Sequence, residues 1–166
     1  RKWPAVARIV VVDDEITMVQ MVSEFFRAAG HEVHPFTNGS AAIAALDSEH
    51  PDLVITDLNL DRSRPQGADI LQKARSLHPP PPVVVITAFG TIESAVEAMR
   101  KGAYDYLTKP FKLADLQLCV QRALSYNEAL SENVYLRRQL QDRYGLKQIV
   151  GASPRMEEVF KLIKRV

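Results

Sequence analysis

Three aspartates follow two short apolar runs in the first half of the chain. Ile9–Val12 leads into Asp13 and Asp14, and Leu53–Thr56 leads into Asp57. If the two runs are adjacent parallel strands, their carboxyl ends share one crevice and the carboxylates converge there. Two like charges about 4 Å apart repel by roughly 4 kcal/mol at an effective dielectric of 20. A divalent cation would offset that repulsion, and Mg²⁺ prefers such oxygen ligands.

Each aspartate also has a simple structural explanation when it is taken alone. Asp14 could cap a helix that begins at Glu15, and Asp57 could open a turn. The convergence of all three at one sheet edge is what favours a chemical role.

Two further strand ends supply a hydroxyl and an ammonium group. Val83–Thr87 ends in the hydroxyl of Thr87, and Tyr104–Leu107 is followed closely by Lys109. A carboxylate nucleophile, a metal site, a hydroxyl donor and a cation are together the requirements of phosphoryl transfer. The pattern therefore predicts phosphoryl chemistry at Asp57.

The elements that would position these groups alternate along the first 111 residues. Short runs rich in Val and Ile are typical of strands buried on both faces, and the stretches between them have helical spacing. Gly30 and Gly102 stand where helix C-caps belong. This alternation predicts an α/β fold, and one topology it allows is a flavodoxin-like parallel sheet of five strands, order 2-1-3-4-5, with helices on both faces. The predicted strands are Ile9–Val12, Val33–Phe36, Leu53–Thr56, Val83–Thr87 and Tyr104–Leu107; the predicted helices are Ile16–Ala29, Ser40–Ser48, Ala68–Leu77 and Ile92–Lys101.

A long helix is predicted from Lys112 to about Asp142, where the sequence contains neither Gly nor Pro. Apolar positions recur there at alternating steps of three and four, which is the heptad seam of a coiled coil. We expect a short homodimeric coiled coil, with Asn127 fixing its register; the alternative is a helix that folds back on its own domain. The seam positions are Leu113, Leu116, Val120, Ala123, Asn127, Leu130 and Val134.

The composition excludes several classes of protein. The formal net charge of +1 gives no general attraction to nucleic acid or membranes, and no apolar run approaches the length of a membrane span. The single cysteine, Cys119, cannot form an internal disulfide, which fits a reducing cytoplasm. The four histidines lack the spacing of metal ligands.

With these residues in place, the chain resembles the receiver domain of bacterial two-component response regulators from residue 8 to about 125. The resemblance implies that Asp57 becomes a 4-aspartylphosphate by accepting a phosphoryl group from a sensor histidine kinase. It also implies that Lys109 holds the phosphoryl oxygen, that Thr87 moves to bond it, and that Tyr106 follows as an aromatic switch. The motifs that carry it are Asp13-Asp14, Asp57, Thr87-Ala88, Gly102-Ala103-Tyr104-Asp105-Tyr106 and Lys109-Pro110-Phe111.

The same resemblance assigns the metal ligands and one peptide bond. Asp13, Asp14, Asp57 and the backbone carbonyl of Asn59 would bind Mg²⁺. The Lys109–Pro110 bond would be cis, a geometry that is open almost only to proline.

The last segment, IVGASPRMEEVFKLIKRV, looks like the opening of the AAA+ domain of NtrC-type activators of sigma-54 RNA polymerase. We expect a receiver domain at 1–125, a dimerisation linker at 126–145 and the start of an AAA+ domain at 146–166. The chain would then be the front part of a longer, cytoplasmic protein. It would act as a regulatory domain and not as an enzyme, and contacts with sigma-54 polymerase and DNA would need downstream domains.

The sequence leaves three alternative functions open. A haloacid dehalogenase-type phosphatase would want an acid two residues after the nucleophile, where this chain has Asn59. A flavin-binding flavodoxin would want a glycine-rich phosphate loop in place of Asp13-Asp14-Glu15. A degenerate receiver would serve only as a dimerisation module.

The loop from Asn59 to Gly67 departs from the receiver pattern. Receiver domains usually place proline four residues and glycine eight residues after the acceptor. Here Asp61 takes the first place, while Pro65 and Gly67 come eight and ten residues on. We expect this loop to follow an altered path.

Overall fold

The structure is a computed structural model that describes residues 6–60, 66–88 and 90–144; in addition, the side chains at 131, 134 and 141–144 are not described. Strands and helices alternate along it, as the hydrophobic pattern predicts. The strands are β1 (Arg8–Val12), β2 (Glu32–Phe36), β3 (Leu53–Asp57), β4 (Val83–Thr87) and β5 (Asp105–Thr108). The helices are α1 (Ile16–Ala28), α2 (Gly39–Glu49), α3 (Gly67–Arg75), α4 (Ile92–Arg100) and α5 (Leu113–Tyr144).

The strands form one parallel sheet in the order β2-β1-β3-β4-β5, which confirms the predicted flavodoxin-like topology. Val12 of β1 lies opposite Thr56 of β3, and Thr56 in turn lies opposite Val85 of β4. The carboxyl ends of β1 and β3 are therefore side by side, at the point where the strand order reverses. Within the described ranges, no helix combines the length and apolarity needed to cross a bilayer.

Two hydrophobic clusters cover the two faces of the sheet, because successive strand side chains point to opposite sides. On one face, Ile9 and Val11 of β1 pack with α1 and α5; on the other, Val10 and Val12 pack with α2, α3 and α4. β3 and β4 are buried along their whole lengths. This burial on both sides fixes the strands rigidly and holds their carboxyl ends in place.

Local capping defines where several helices begin and end. Asn38 accepts a hydrogen bond from the backbone N–H of Ala41 at the start of α2, and Thr91 accepts one from Ser94 at the start of α4. Gly30 and Gly102 follow α1 and α4 with φ of 99° and 105°, the left-handed conformation that glycine adopts without strain. The two predicted C-caps are confirmed.

Gly67 opens α3 directly against the backbone that follows the central strand. A Cβ atom at Gly67 would lie 2.6 Å from the Cα atom of Leu58 and would also overlap the carbonyl oxygen of Asp57. Only glycine therefore allows α3 to approach this closely. The altered path predicted for the loop before Gly67 depends on residues 61–65, which lie outside the described part of the chain.

The first part of α5 belongs to the core, and this corrects the predicted dimer seam. Leu116, Val120 and Ala123 are buried in the cluster that covers the α1 face of the sheet, so they present no surface to a second chain. The three-four spacing there reflects packing on the sheet, because an amphipathic helix and a coiled coil share that period. Asn127 and Leu130 come later in α5, and the side chain of Val134 lies outside the described set.

The chain divides into two compact units, Arg1–Ser125 and Tyr126–Val166, and the division falls within α5. In the second unit, Leu130, Tyr135 and Leu136 are exposed, with 45% of Leu130 accessible. The predicted linker at 126–145 remains a prediction, and the predicted AAA+ start at 146–166 lies outside the described residues.

Candidate functional site

Asp57 is the last residue of β3 and is almost completely enclosed, with 5% of its surface accessible. Its two carboxylate oxygens have different partners. Oδ1 accepts a hydrogen bond from the backbone N–H of Asn59 at 2.9 Å, and Oδ2 lies 2.9 Å from the ammonium nitrogen of Lys109. The carboxylate is thus fixed in one orientation by a rigid strand, a backbone amide and a cation.

Asp13 and Asp14 follow β1 and meet Asp57 at the sheet edge, as the topology predicts. Carboxylate oxygens of the three residues all lie within 4.8 Å of one another. Asp13 is 2% exposed; its Oδ1 accepts from the backbone N–H of Glu15 at 2.9 Å, and its Oδ2 lies 2.8 Å from Lys109. Asp14 is exposed, yet burial of its carboxyl raises its pKa, and a hydrogen bond to Asp13 and the charge of Asp13 raise the pKa further.

Lys109 joins the acidic residues through a single ammonium group whose side chain is 11% exposed. Its nitrogen contacts Asp13 at 2.8 Å, Asp57 at 2.9 Å and Glu15 at 3.1 Å. Burial alone would lower the pKa of Lys109, but the hydrogen bonds to these three carboxylates outweigh burial and raise the pKa above its usual value. Lys109 is therefore charged throughout the physiological pH range.

Glu15 also belongs to the site through its contact with Lys109, although the sequence analysis did not assign it there. It precedes α1 as the N-cap residue, without a side-chain capping hydrogen bond, and its carboxylate turns to Lys109 instead. The signal was the run Asp13-Asp14-Glu15, in which a third acid continues the pair.

Thr87 and Tyr106 lie on the next two strands, and each has a polar partner. The buried Thr87 ends β4, and its Oγ1 accepts from the side-chain amide of Asn59 at 3.2 Å. The hydroxyl of Tyr106 on β5 lies 2.9 Å from Oγ of Ser94 in α4. Asn59 therefore touches both the acceptor carboxylate and the threonine hydroxyl, the first through its backbone and the second through its side chain.

The donor set fits Mg²⁺. The three candidate ligands carry three formal negative charges, and Lys109, which also pairs with Glu15, offsets at most one of them; an excess of at least two negative charges remains in a largely enclosed crevice. Hard oxygen ligands of this kind are what Mg²⁺ selects, and a divalent cation balances that excess. The orientation of the Asn59 carbonyl, the fourth predicted ligand, remains a prediction.

The structure brings the other predicted residues of the site to one edge of the sheet. Asp13, Asp14 and Asp57 lie close to one another, Lys109 contacts Asp13 and Asp57, and Thr87 is linked to Asp57 through Asn59. The Lys109–Pro110 peptide bond is cis, as the resemblance implied; the His78–Pro79 bond is cis as well, which the sequence did not indicate.

The doubly wound sheet carries an enclosed aspartate at its switch point, two acids directly after the neighbouring strand and a lysine beyond β5, which is the arrangement expected of a receiver domain. The family model for the response regulator receiver domain matches residues 9–121, and the chain belongs to that family.

The relatives of this chain include regulatory proteins named AtoC, NtrC and NtrX. It is 37% identical to the regulatory protein AtoC of Escherichia coli (strain K12), over 95% of this chain and 34% of AtoC. It is 32% identical to the DNA-binding transcriptional regulator NtrC of the same organism, over 94% of this chain and 32% of NtrC. The chain spans about a third of the length of these curated relatives.

Solved structures of NtrX from Brucella abortus are also similar to this chain. The crystal structure of NtrX from Brucella abortus in complex with ATP matches 82% of this chain and 34% of that protein, with a TM-score of 0.71 and 35% identity. The crystal structure of the receiver domain of NtrX from Brucella abortus has a TM-score of 0.66 and 41% identity, and the match covers 98% of that domain.

Proposed function

We propose that Asp57 accepts a phosphoryl group from the phosphohistidine of a sensor histidine kinase. The observation that carries this proposal is the Asp57 carboxylate, enclosed at the end of β3 beside Asp13 and Asp14 and 2.9 Å from Lys109. A carboxylate nucleophile with charge-neutralising groups around it meets the needs of phosphoryl transfer.

The reaction exchanges one bond to phosphorus for another. A carboxylate oxygen of Asp57 forms the new P–O bond while the P–N bond to the kinase histidine breaks. The histidine nitrogen leaves with the electron pair of that bond, and Asp57 becomes an acyl phosphate. Asn59 and Lys109 orient the two carboxylate oxygens before attack, through the contacts at 2.9 Å.

Other residues of the site would bind the metal ion, contact the phosphoryl group and change position after transfer. Asp13, Asp14, Asp57 and the Asn59 carbonyl would hold Mg²⁺, which when bound neutralises charge on the phosphoryl oxygens. Lys109 donates to a phosphoryl oxygen. Thr87 moves toward the phosphoryl group, and Tyr106 follows it inward.

The part of α5 that follows Ser125 would transmit the effect of phosphorylation to the rest of a longer protein. Asn127, Leu130 and Val134 are the members of the predicted seam that follow Ser125 in sequence and belong to the second unit, and they would pair with a second copy. We infer that phosphorylation alters this homodimer. In a longer protein of the NtrC type, the dimer would control an AAA+ ATPase that acts on sigma-54 RNA polymerase at DNA. The chain itself is proposed to be a regulatory domain and not an independent enzyme.

Incubation with acetyl phosphate and Mg²⁺, followed by intact mass spectrometry, tests the phosphoacceptor role. One phosphoryl group should be added, and hydroxylamine should remove it because it cleaves acyl phosphates. Asp57→Asn should abolish the modification, whereas Asp47→Asn, which removes an exposed carboxylate of α2, should leave it unchanged.

Other outcomes point to the alternatives. An unmodified wild-type chain that still dimerises would identify a degenerate receiver. Continuous release of phosphate from simple phosphate monoesters would identify a phosphatase. Label retained by Asp57→Asn would place the acceptor elsewhere.

A further inference from the structure

The hydroxyl of Ser94 occupies a junction between α4 and β5. Ser94 Oγ donates to the carbonyl oxygen of Thr91 at 3.0 Å and lies 3.0 Å from Thr91 Oγ1 and 2.9 Å from the Tyr106 hydroxyl. A serine hydroxyl has one proton and two acceptor positions. Because the proton goes to the Thr91 carbonyl, Ser94 can accept from Thr91 and Tyr106 together.

α4 has little apolar anchorage to the rest of the domain. Ala98 is the single buried residue of this helix, while 83% of Ile92 is accessible and Val96 and Met99 are exposed as well. Burial of apolar surface is what normally fastens a helix to its domain. A hydrogen bond between its first turn and β5 is therefore a substantial part of what positions α4.

Tyr106 is placed to transmit a change at Thr87. Tyr106 lies opposite Val85 in the β4–β5 register, and Thr87 is two residues beyond Val85 on the same strand. Residues two apart on a strand point to the same face. Thr87 and Tyr106 are thus diagonal neighbours on one face of the sheet, and Ser94 connects that face to α4.

We propose that Ser94 is a positioning residue for the tyrosine switch: its hydroxyl holds Tyr106 against the first turn of α4 in the unphosphorylated protein. Phosphorylation of Asp57 must break this bond before Tyr106 can follow Thr87. The proposal rests on the proposed phosphoacceptor function for its consequence, but the bond itself can be tested without phosphate.

The phosphate-free test uses the full chain and the NMR signals of its tyrosine rings. Ser94→Ala should shift the ring signals of Tyr106 and leave those of Tyr104 in place, since Tyr104 lies on the cluster at the opposite face of the sheet. Unmoved Tyr106 signals would overturn the proposal, whatever Asp57 does with acetyl phosphate.

The functional test measures the affinity for beryllofluoride, a phosphoryl mimic, in saturating Mg²⁺. Ser94→Ala should tighten binding by about fivefold, because the mimic no longer has to break a hydrogen bond of ordinary net strength to reach the competent state. In a Tyr106→Phe background, Ser94→Ala should change the affinity by less than about twofold, because the partner hydroxyl is already gone.

Thr91→Ala is the matched control. It removes the hydroxyl that caps α4 at the N–H of Ser94, but it leaves Ser94 Oγ available to Tyr106. Its affinity should stay close to that of the wild type. The proposal would be contradicted if Ser94→Ala left the affinity for beryllofluoride unchanged, or if Thr91→Ala raised that affinity as much as Ser94→Ala does. It would also be contradicted if Ser94→Ala raised the affinity about fivefold in the Tyr106→Phe background. If acetyl phosphate leaves Asp57 unmodified, the proposed function fails, and the ring signals alone decide the role of Ser94.

Discussion

Relief of charge crowding at Asp14 should stabilise the metal-free protein. Asp14 is close to two other carboxylates, whereas the close ion pairs of Lys109 are with Asp13, Glu15 and Asp57. Asp14→Asn removes one negative charge from this group while keeping the shape of the side chain. We expect a higher melting temperature for this variant in the presence of a chelator.

The magnitude follows from the separation of the charges. At 4.8 Å, two like charges repel by about 0.9 kcal/mol at the dielectric of water and by about 3.5 kcal/mol at an effective dielectric of 20. Asp14 is exposed, so solvent screens much of its interaction and the lower value applies. A gain of about 1 kcal/mol raises the melting temperature of a chain of this size by roughly 3 °C.

The pH dependence supplies an independent check, with a definite sign. The folded-state pKa of Asp14 is raised above its ordinary value of 3.8, so ionising Asp14 costs stability in the folded protein. This cost is fully present above the folded-state pKa and disappears as the pH falls below 3.8, where the carboxyl is protonated in both states. The advantage of Asp14→Asn should therefore be largest near neutral pH and shrink with acidification.

The assay is thermal unfolding followed by circular dichroism, with a chelator and then with saturating Mg²⁺. Mg²⁺ should stabilise the wild type more than Asp14→Asn, since the variant would lose one of the proposed metal ligands. Glu24→Gln removes one charge from an exposed residue of α1 and should change stability by less than about 0.5 kcal/mol. A lower melting temperature for Asp14→Asn in chelator, or a gain that is independent of pH, would refute the charge-crowding explanation.

Three further predictions concern Asn59, Gly67 and α5. Asn59→Ala removes the amide that bonds the Thr87 hydroxyl, so the methyl signal of Thr87 should respond to lower concentrations of beryllofluoride; an unchanged titration would show that this bond does not restrain Thr87. Gly67→Ala should destabilise the protein by roughly 1–3 kcal/mol in urea unfolding, because its Cβ would collide with the backbone of Leu58; wild-type stability would contradict the close approach. Leu130→Glu should shift the chain toward monomer in analytical ultracentrifugation, and an unchanged dimer would place the interface elsewhere.

Much of the fold follows from the sequence because the strands are short, buried and rich in branched residues. The prediction of Val83–Thr87 has both ends correct; β1, β2 and β3 differ from their predictions by one residue at one end, and β5 is shifted by one residue at both ends. Parallel pairing then brings Asp13 and Asp57 to the same crevice, because carboxyl ends of adjacent parallel strands coincide. The sequence therefore predicts the positions of the site residues that directly follow or end a strand, such as Asp13 and Asp57.

Contacts made by the tips of side chains were not predictable in the same way. The links from Asn59 to Thr87 and from Ser94 to Tyr106 depend on rotamers and on loop paths, which periodicity does not specify. The first half of the predicted α5 seam was wrong for a different reason. A three-four repeat at Leu116 satisfies both a sheet-facing helix and a coiled coil, and only tertiary packing distinguishes them.

The contacts of Lys109 suggest why the unmodified and phosphorylated sites would differ in structure. One ammonium group is shared among Asp13, Glu15 and Asp57. Phosphorylation would replace the single charge on Asp57 with a phosphoryl group carrying about −1.5 to −2 charges. Because the raised pKa keeps Lys109 charged, its position would respond to this imbalance, whereas its charge would not. Lys109 would then shift its contacts away from Glu15 toward the phosphoryl oxygens, and the site would reorganise by moving groups without a change in protonation.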